Sequence, residues 1–296
     1  MDISHIGIPL RQTFVLEKLC SVHYFEFSKN YVFTGEAHDF WELVYVDKGE
    51  IIATAGEREF PLSCGEILFH RPGEWHNIRA NGAVAPNVMI VSFSCHGDAM
   101  ERFSGLRITA TAEEKTLLSE ILTESRLLFA SALDDPFDHT LKLADPVPMG
   151  GEQQLGNDLT GLLISLGRRQ EGKPCAPLRQ SSHPLLEAIC AYMQAHLSEK
   201  MTLETLAGEF HVSQSYLKKL FAEYTGGGAI HYFLRLRTER AKTLLRESEE
   251  NISQIAEALG YENVYYFSSQ FRKMAGMSPL EYRRSVKALD ERARAK

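Results

Sequence analysis

Hydrophobic and polar residues alternate along the first third of the chain in the pattern of short β-strands. Five runs rich in β-branched and aromatic residues are separated by turns that contain glycine, proline, asparagine or aspartate. The runs cover residues 23–27, 40–46, 50–54, 66–69 and 88–93. Short strands with this spacing predict an antiparallel sandwich or a small barrel.

The period of the pattern changes to that of a helix after residue 105. Thr111 and Glu114 form a capping-box pattern, which predicts that a helix starts there. The apolar positions of this helix are Leu117, Leu118, Ile121, Leu122, Leu128 and Phe129, and a second helix carries Leu155, Leu159, Leu162, Leu163 and Leu166. The apolar positions of each helix form a stripe along one side, and at least one of the two stripes must pack on the predicted sheet. The second, leucine-rich stripe could pack there too, or it could form a dimer contact.

Residues 167–183 have the composition of a linker, with Gly172, Pro174 and Pro177 among polar side chains. They separate the first part of the chain from a C-terminal third whose periodic segments are all helical. We therefore place the domain boundary in this linker, and we expect residues 153–184 to couple the two domains.

The C-terminal third contains one helix-turn-helix pattern twice. In the first copy the pattern is Ala207, His211, Ser213, Leu217, Phe221 and Gly226, and in the second it is Ala256, Gly260, Asn263, Phe267, Phe271 and Gly276. A helix predicted over residues 230–247 joins the copies. Two DNA-reading helices about 34 Å apart would meet successive major grooves on one face of DNA, and a stiff helix would keep that spacing.

Local signals mark the ends of these helices. Ser213 and Asn263 are good N-caps for the second helix of each pair. Asn251 and Gln254 form a capping pair before the second copy. His211 stands in the first turn, where we expect a positive φ, and histidine is among the residue types enriched there.

The exposed faces of the second helix in each pair are the candidate DNA-reading surfaces. Hydroxyl and amide groups suit base edges or phosphates, and lysine suits phosphates or guanine. The candidates are Gln214, Ser215, Lys218 and Lys219 in the first copy, and Val264, Tyr265, Tyr266, Ser268, Ser269 and Arg272 in the second. Among them, Val264 could touch a thymine methyl group, whereas Tyr266 and Arg272 are expected on the DNA backbone.

The second copy closely resembles the AraC/XylS signature. The matching residues are Ile252, Ala256, Gly260, Tyr266, Phe271, Gly276, Ser278, Pro279 and Tyr282, with Arg237, Ala241 and Leu244 upstream. The resemblance implies a transcription regulator that binds double-stranded DNA and more often activates, by contact with RNA polymerase, than represses. One departure is the glycine run at 226–228, which weakens the junction after the first copy through backbone entropy.

The N-terminal part resembles the two cupin motifs, in the degenerate form found in ligand-sensing domains of AraC-type regulators. The resemblance rests on residues 35–49 and 65–76, where His38 and His76 are in register and Glu42 shares the strand face of His38. We expect a small effector in a pocket lined by His38, Trp41, Glu42 and His76. Similar proteins often bind sugars or sugar derivatives.

No metal is expected at this pocket. A metal-binding cupin would have His at position 40 and Glu at 44 or 45, where this chain has Phe40, Val44 and Tyr45. Three alternatives remain open. The polar side chains could only satisfy backbone groups at the rim, the domain could be a metal-dependent cupin enzyme, or it could be a dimerisation domain without an effector.

Charge and cysteine content narrow the class of protein. Residues 1–182 carry 16 basic and 25 acidic side chains, whereas residues 183–296 carry 16 and 14, so DNA binding requires a local basic face. The five cysteines form no CxxC pair, which favours reduced thiols in a cytosolic protein. No stretch approaches 18 consecutive apolar residues, so we expect neither export nor membrane insertion.

Together these patterns predict an α+β multidomain chain. Residues 1–166 would form a cupin-like antiparallel β-barrel with flanking helices that senses a ligand and dimerises. Residues 167–183 would form the linker, and 184–290 an all-α domain with two helix-turn-helix units joined by a long helix. We expect a homodimeric, non-enzymatic transcription regulator in the cytoplasm, without a cofactor.

Overall fold

The computed structural model describes residues 8–135, 140–172, 183–225 and 227–294 of the 296-residue chain. The chain divides into two compact units. The first contains the β-strands and two helices, and the second contains the remaining helices. None of the described helices is long and apolar enough to cross a membrane.

The first unit contains two antiparallel sheets. One has the strand order β1-β7-β2-β5-β8 and the other β4-β3-β6. The strands are β1 (Val15–Glu26), β2 (Trp41–Lys48), β3 (Glu50–Ala55), β4 (Arg58–Ser63), β5 (Glu66–His70), β6 (His76–Ala80), β7 (Asn87–His96) and β8 (Arg107–Thr109), and a short 3-10 helix covers Asp98–Phe103. The antiparallel expectation is confirmed, whereas closure into a barrel stays a prediction. Strands β4, β6 and β8 had no clear sequence pattern.

Two helices, α1 (Ala112–Leu128) and α2 (Gly151–Gln170), pack on the larger sheet through a shared apolar core. The predicted capping box is present, since Thr111 and Glu114 exchange side-chain to backbone hydrogen bonds. The leucine stripe of α2 is buried in this same core. The interpretation of that stripe as a dimer contact is therefore wrong, because its side chains already pack within their own unit.

The first residues of the predicted linker belong to a helix. Helix α2 continues to Gln170, so the linker assigned to residues 167–183 begins inside a helix. Helix α2 ends in a turn formed by Glu171 and Gly172. Residues 173–182 lie outside the described residues.

The second unit contains helices α3 to α9 around two apolar cores. The helices are α3 (Pro184–Ala195), α4 (Leu203–Glu209), α5 (Gln214–Thr225), α6 (Ala229–Glu247), α7 (Ile252–Ala258), α8 (Val264–Ala275) and α9 (Pro279–Arg294). Helices α4 and α5 form the first predicted pair, and α7 and α8 the second. The closing helix α9 has 16 residues and is longer than expected.

The local signals at the turns behave as predicted. Ser213 and Asn263 accept hydrogen bonds from backbone N–H groups in the first turns of α5 and α8. Asn251 and Gln254 complete a capping box on α7. His211 has a φ of 52°, the one positive value at a non-glycine residue among those described.

Gly260 provides a test of how tightly the second turn is packed. Its φ is 72°, and an added Cβ would overlap the carbonyl of Ser198. Gly276 has a φ of 78°, but an added Cβ there would meet nothing within 4 Å. We expect Gly260→Ala to lower the free energy of unfolding by about 3 to 5 kcal/mol, and Gly276→Ala by about 1 to 2 kcal/mol. Urea unfolding of both variants measures the difference, and equal losses would contradict the packing argument.

Candidate functional site

A buried carboxylate lies between two histidines on one face of the larger sheet. Glu42, on β2, is only 5% exposed. Its Oε2 atom lies 3.3 Å from Nε2 of His38, and its Oε1 atom lies 3.3 Å from Nε2 of His76. The structure therefore brings together three of the four residues predicted to bind an effector.

Backbone pairing fixes the position of His76 beside the segment before β2 that carries His38. Glu36 and His76 form an isolated β-bridge, in which each N–H donates to the other carbonyl at 2.9 Å. Gly35 precedes this bridge with a φ of 103°, and an added Cβ there would collide with Trp75. The bridge also brings Glu36 to the cluster, so ligand atoms of Glu36, His38, Glu42 and His76 all lie within 4.8 Å of one another.

In both His38 and His76, the ring nitrogen Nδ1 hydrogen-bonds to a backbone carbonyl oxygen. Nδ1 of His38 lies 3.1 Å from the carbonyl oxygen of Phe40, and Nδ1 of His76 lies 2.9 Å from that of Glu74. A carbonyl oxygen only accepts, so both Nδ1 atoms carry the proton. Both Nε2 atoms are thereby directed towards the carboxylate of Glu42.

Electrostatics in the cluster favour an ionised carboxylate. Burial alone would raise the pKa of Glu42, but its contacts with His38 and His76 outweigh burial and lower it. Burial alone would lower the pKa of His76, but its contacts with Glu42 raise it instead. Ser92 adds a further hydrogen bond, donating its hydroxyl to Oε2 of Glu42 at 3.1 Å.

The structure does not bring Trp41 to this cluster. Trp41 packs in the apolar core between the sheet and helices α1 and α2, together with Leu43 and Tyr45. Successive strand residues point to opposite faces, so Trp41 and its neighbour Glu42 cannot line the same pocket. Trp41 is therefore not part of the polar cluster, and its role in effector binding stays a prediction.

Sequence reasoning missed several members of the cluster. Glu36 could have been found, because it lies two residues before His38 in an extended segment. His70 is fully buried opposite Glu42 on β5, and its ring stacks on that of His76 at 4.4 Å. No sequence signal placed His70 or Ser92 here, because both arrive through strand pairing with β2. Phe40, treated as the position of a missing ligand, stacks instead on the ring of His38 at 3.8 Å.

A separate cavity of about 350 Å³ lies on the helical side of the sheet. It is mainly apolar, and Leu19, Phe93 and Leu159 line it. Gly156, on α2, faces this cavity, and an added Cβ there would meet nothing within 4 Å. The unit therefore offers a second place for a small molecule, with an apolar lining that contrasts with the polar cluster.

In the second unit, α5 presents the predicted polar face. Gln214, Ser215, Lys218 and Lys219 are exposed, while Leu217, Leu220 and Phe221 are buried in the core. Tyr216 is also exposed, and it occupies the position that corresponds to Tyr266 in the second copy. Sequence reasoning had not included Tyr216.

Helix α8 presents a comparable face. Tyr265 is 82% exposed and Tyr266 55% exposed, which is unusual for large aromatic side chains. Ser269 and Arg272 are exposed, and Ser268 is half-buried. Val264 is half-buried and packs against the core formed by Phe267 and Phe271, so only part of its side chain is available to a partner.

One arginine joins the two helix pairs. Arg237, on α6, is 7% exposed, and it donates hydrogen bonds to the carbonyls of Leu197 and Glu199 at 2.7 and 2.6 Å. Its guanidinium lies 4.8 Å from the ring centres of both Phe233 and Tyr261. Phe233 belongs to the core of the first pair and Tyr261 to that of the second, so this side chain sets their relative position.

Comparisons with known proteins agree with this architecture. Residues 21–161 match the family model of the AraC-like ligand binding domain, and residues 206–285 match that of a helix-turn-helix domain. Together, the two matches identify the chain as a DNA-binding transcription regulator with a ligand-binding domain. The chain belongs to the AraC family of transcriptional regulators.

Individual relatives are moderately similar. The chain is 26% identical over 274 residues to the MmsAB operon regulatory protein of Pseudomonas aeruginosa, covering 90% of this chain and 82% of that protein. It is 24% identical over 265 residues to the HTH-type transcriptional activator RhaR of Yersinia pseudotuberculosis, covering 85% and 84%. The C-terminal domain of AraT, a response regulator from Geobacillus stearothermophilus, is 36% identical over 36% of this chain and 88% of that structure, with a TM-score of 0.35.

The role of Arg237 can be tested by its removal. We expect Arg237→Ala to lower the free energy of unfolding by about 3 kcal/mol or more, because two backbone carbonyls lose a buried, charged donor. Arg237→Lys should recover only part of this loss, since an ammonium cannot reproduce the planar fork. Arg240→Ala, at an exposed position of the same helix, is the control and should change stability by no more than about 0.5 kcal/mol. Thermal unfolding of the three variants measures these effects.

Proposed function

We propose that this protein activates transcription by binding DNA through α5 and α8 while its N-terminal unit senses a small molecule. The observation that carries the proposal is the pair of capped helices, α5 and α8, that expose hydrogen-bonding side chains at corresponding positions of one packed unit. The relative RhaR is named as a transcriptional activator, which supports activation over repression. We further propose that the protein works as a cytoplasmic homodimer that contacts RNA polymerase.

The two reading faces differ in chemistry. The first offers two lysines and an amide, which suit phosphates and guanine, and the second offers tyrosine and serine hydroxyls together with Arg272. Lys218, Lys219 and Arg272 supply local positive charge in a chain that is acidic overall. We assign these three to backbone contacts and assign sequence reading mainly to Gln214, Tyr265 and Ser268.

We assign sensing, and not catalysis, to the polar cluster of the first unit. Relatives that cover most of this chain are named as regulators. His38 comes from the segment before β2, Glu42 from β2 and His76 from β6. The three side chains converge as polar groups do when they orient a ligand. Hydroxyl-rich molecules such as sugars or their derivatives match an ionised carboxylate flanked by imidazoles, and they are the effector class that we propose.

The assignment of DNA contacts can be tested by salt dependence. We expect Lys218→Ala and Arg272→Ala to weaken binding to all duplexes and to reduce the slope of log K against log salt by about 1 each, because each removes one phosphate contact. Ser268→Ala and Tyr265→Ala should instead change which sequences are selected from a random duplex pool. Lys142→Ala, at an exposed position in the first unit, is the matched control. Slopes that do not differ from that of the control would contradict the assignment.

The location of the effector can be tested with two variants that leave the DNA-binding unit unchanged. Glu42→Gln keeps the shape of the side chain but removes its charge, so the concentration of sugar or sugar acid needed for half-maximal reporter activation should rise about tenfold or more. Gly156→Leu places a side chain in the apolar cavity and should leave that response unchanged. The reverse pattern would place the effector in the apolar cavity.

A further inference from the structure

The polar cluster of the first unit has an unsatisfied ring nitrogen at its centre. Nε2 of His76 is buried and has no hydrogen-bond partner, although Oε1 of Glu42 lies 3.3 Å away. The carboxylate oxygen therefore lies off the direction in which the ring would donate. A buried nitrogen that points into a group of other donor atoms, without a hydrogen bond of its own, requires an explanation.

We propose that this cluster binds a divalent first-row transition metal ion through Nε2 of His38, Nε2 of His76 and the carboxylate of Glu42. Glu36 lies at the exposed rim as a fourth, exchangeable ligand. The inference deepens the proposed sensing role of the same site and rests on it only for the regulatory consequence. Metal binding itself can be measured without DNA or effector.

The spacing of the donor atoms fits one shared ion. Ligand atoms that surround an ion at zinc bond lengths lie about 3.0 to 3.6 Å apart. The two contacts from Glu42 to the imidazole nitrogens are both 3.3 Å, and the set including Glu36 lies within 4.8 Å. Closing the set around an ion requires movement mainly of Glu36, which is exposed.

The orientation of both imidazoles is that of metal-bound histidine. In such sites the ring nitrogen that does not bind the metal donates its proton to a backbone carbonyl or a carboxylate, which fixes the tautomer. His38 and His76 both do this, towards the carbonyls of Phe40 and Glu74. The hydroxyl of Ser92 similarly fixes Glu42 by donating to its Oε2 atom at 3.1 Å.

Charge leads to the same conclusion. A buried carboxylate needs a compensating positive charge, because desolvation of an isolated ion is costly. Two imidazole nitrogens that face Glu42 can supply it by binding two protons, or they can share one cation. One divalent ion balances Glu42 and Glu36 together and also uses the lone pair of His76 that otherwise has no partner.

The donor set limits the identity of the ion and explains why it could matter for sensing. Imidazole nitrogens favour zinc, iron, nickel and copper, whereas all-oxygen sites suit magnesium and calcium. Three protein ligands with an exchangeable fourth leave a position at which another molecule can bind. A hydroxyl or carboxylate oxygen of the effector would take that position by displacing Glu36.

The test is metal uptake by the full-length protein. The protein is stripped with chelator, dialysed and titrated with zinc chloride by calorimetry, and cobalt chloride then gives an absorption spectrum that reports imidazole coordination. We expect one ion per chain. Glu42→Gln and His76→Gln should weaken uptake at least about 100-fold, since even loss of a group that only supports a ligand costs 10- to 100-fold. Glu36→Gln, at the exposed rim, should weaken it less and serves as a variant that does not disturb the core.

The matched control is the exposed pair of His96 and Glu17 in the same unit, whose side chains lie 2.9 Å apart. The double variant His96→Gln, Glu17→Gln should bind zinc as the wild type does. No uptake by the wild type, or equal uptake by the wild type and by Glu42→Gln and Glu36→Gln variants that melt cooperatively, would overturn the inference.

A second measurement separates this inference from the proposed function. Selection of a DNA motif by the chelator-treated protein tests the regulator without the ion. A selected motif with no metal uptake would refute only the metal site, whereas uptake without any selected motif would refute only the DNA-binding role.

Discussion

The helical unit depends on one buried guanidinium. Arg237 satisfies two carbonyls in the segment between α3 and α4 and lies between aromatic rings that belong to different cores. Arg283 makes a similar pair of contacts in the second copy, donating to the carbonyls of Leu245 and Glu250. In both copies, an arginine from a later helix thus binds carbonyls that precede the helix pair in the chain. Because Arg237 contacts both cores, the spacing between α5 and α8 is a property of the packed unit.

The first unit places the Glu42 cluster on one face of a sheet whose other face is mainly apolar. Trp41, Leu43 and Tyr45 pack against α1 and α2, and Glu42 alternates with them on the opposite face. A carboxylate in this position is stable only because His38, His76 and Ser92 surround it. The same alternation that builds the core therefore directs the carboxylate of Glu42 to the other side of the sheet.

The distribution of apolar surface constrains how this regulator can assemble. The leucine stripe of α2 is buried in its own core, so these side chains are not available for contact with another chain. By contrast, Tyr265 and Tyr266 remain exposed on α8, although burying each ring would be favourable. Aromatic side chains left in water beside serine and arginine are suited to contact with a partner, which agrees with their position on a helix of the DNA-binding domain.

The sequence by itself determined the antiparallel strands, the helix ends and the family, because caps, turns and hydrophobic periods involve residues only a few positions apart. Thr111, Asn251, Asn263 and His211 all have the roles that their local patterns predicted. The sequence also implied that Trp41 and Glu42 lie on opposite faces of the sheet, because they are successive residues of one strand. Only the tertiary structure decided that His70 and Ser92 join the cluster and that the leucine stripe is internal. Those outcomes depend on which distant strands and helices pair, and the pairing is set by the packing of the whole unit.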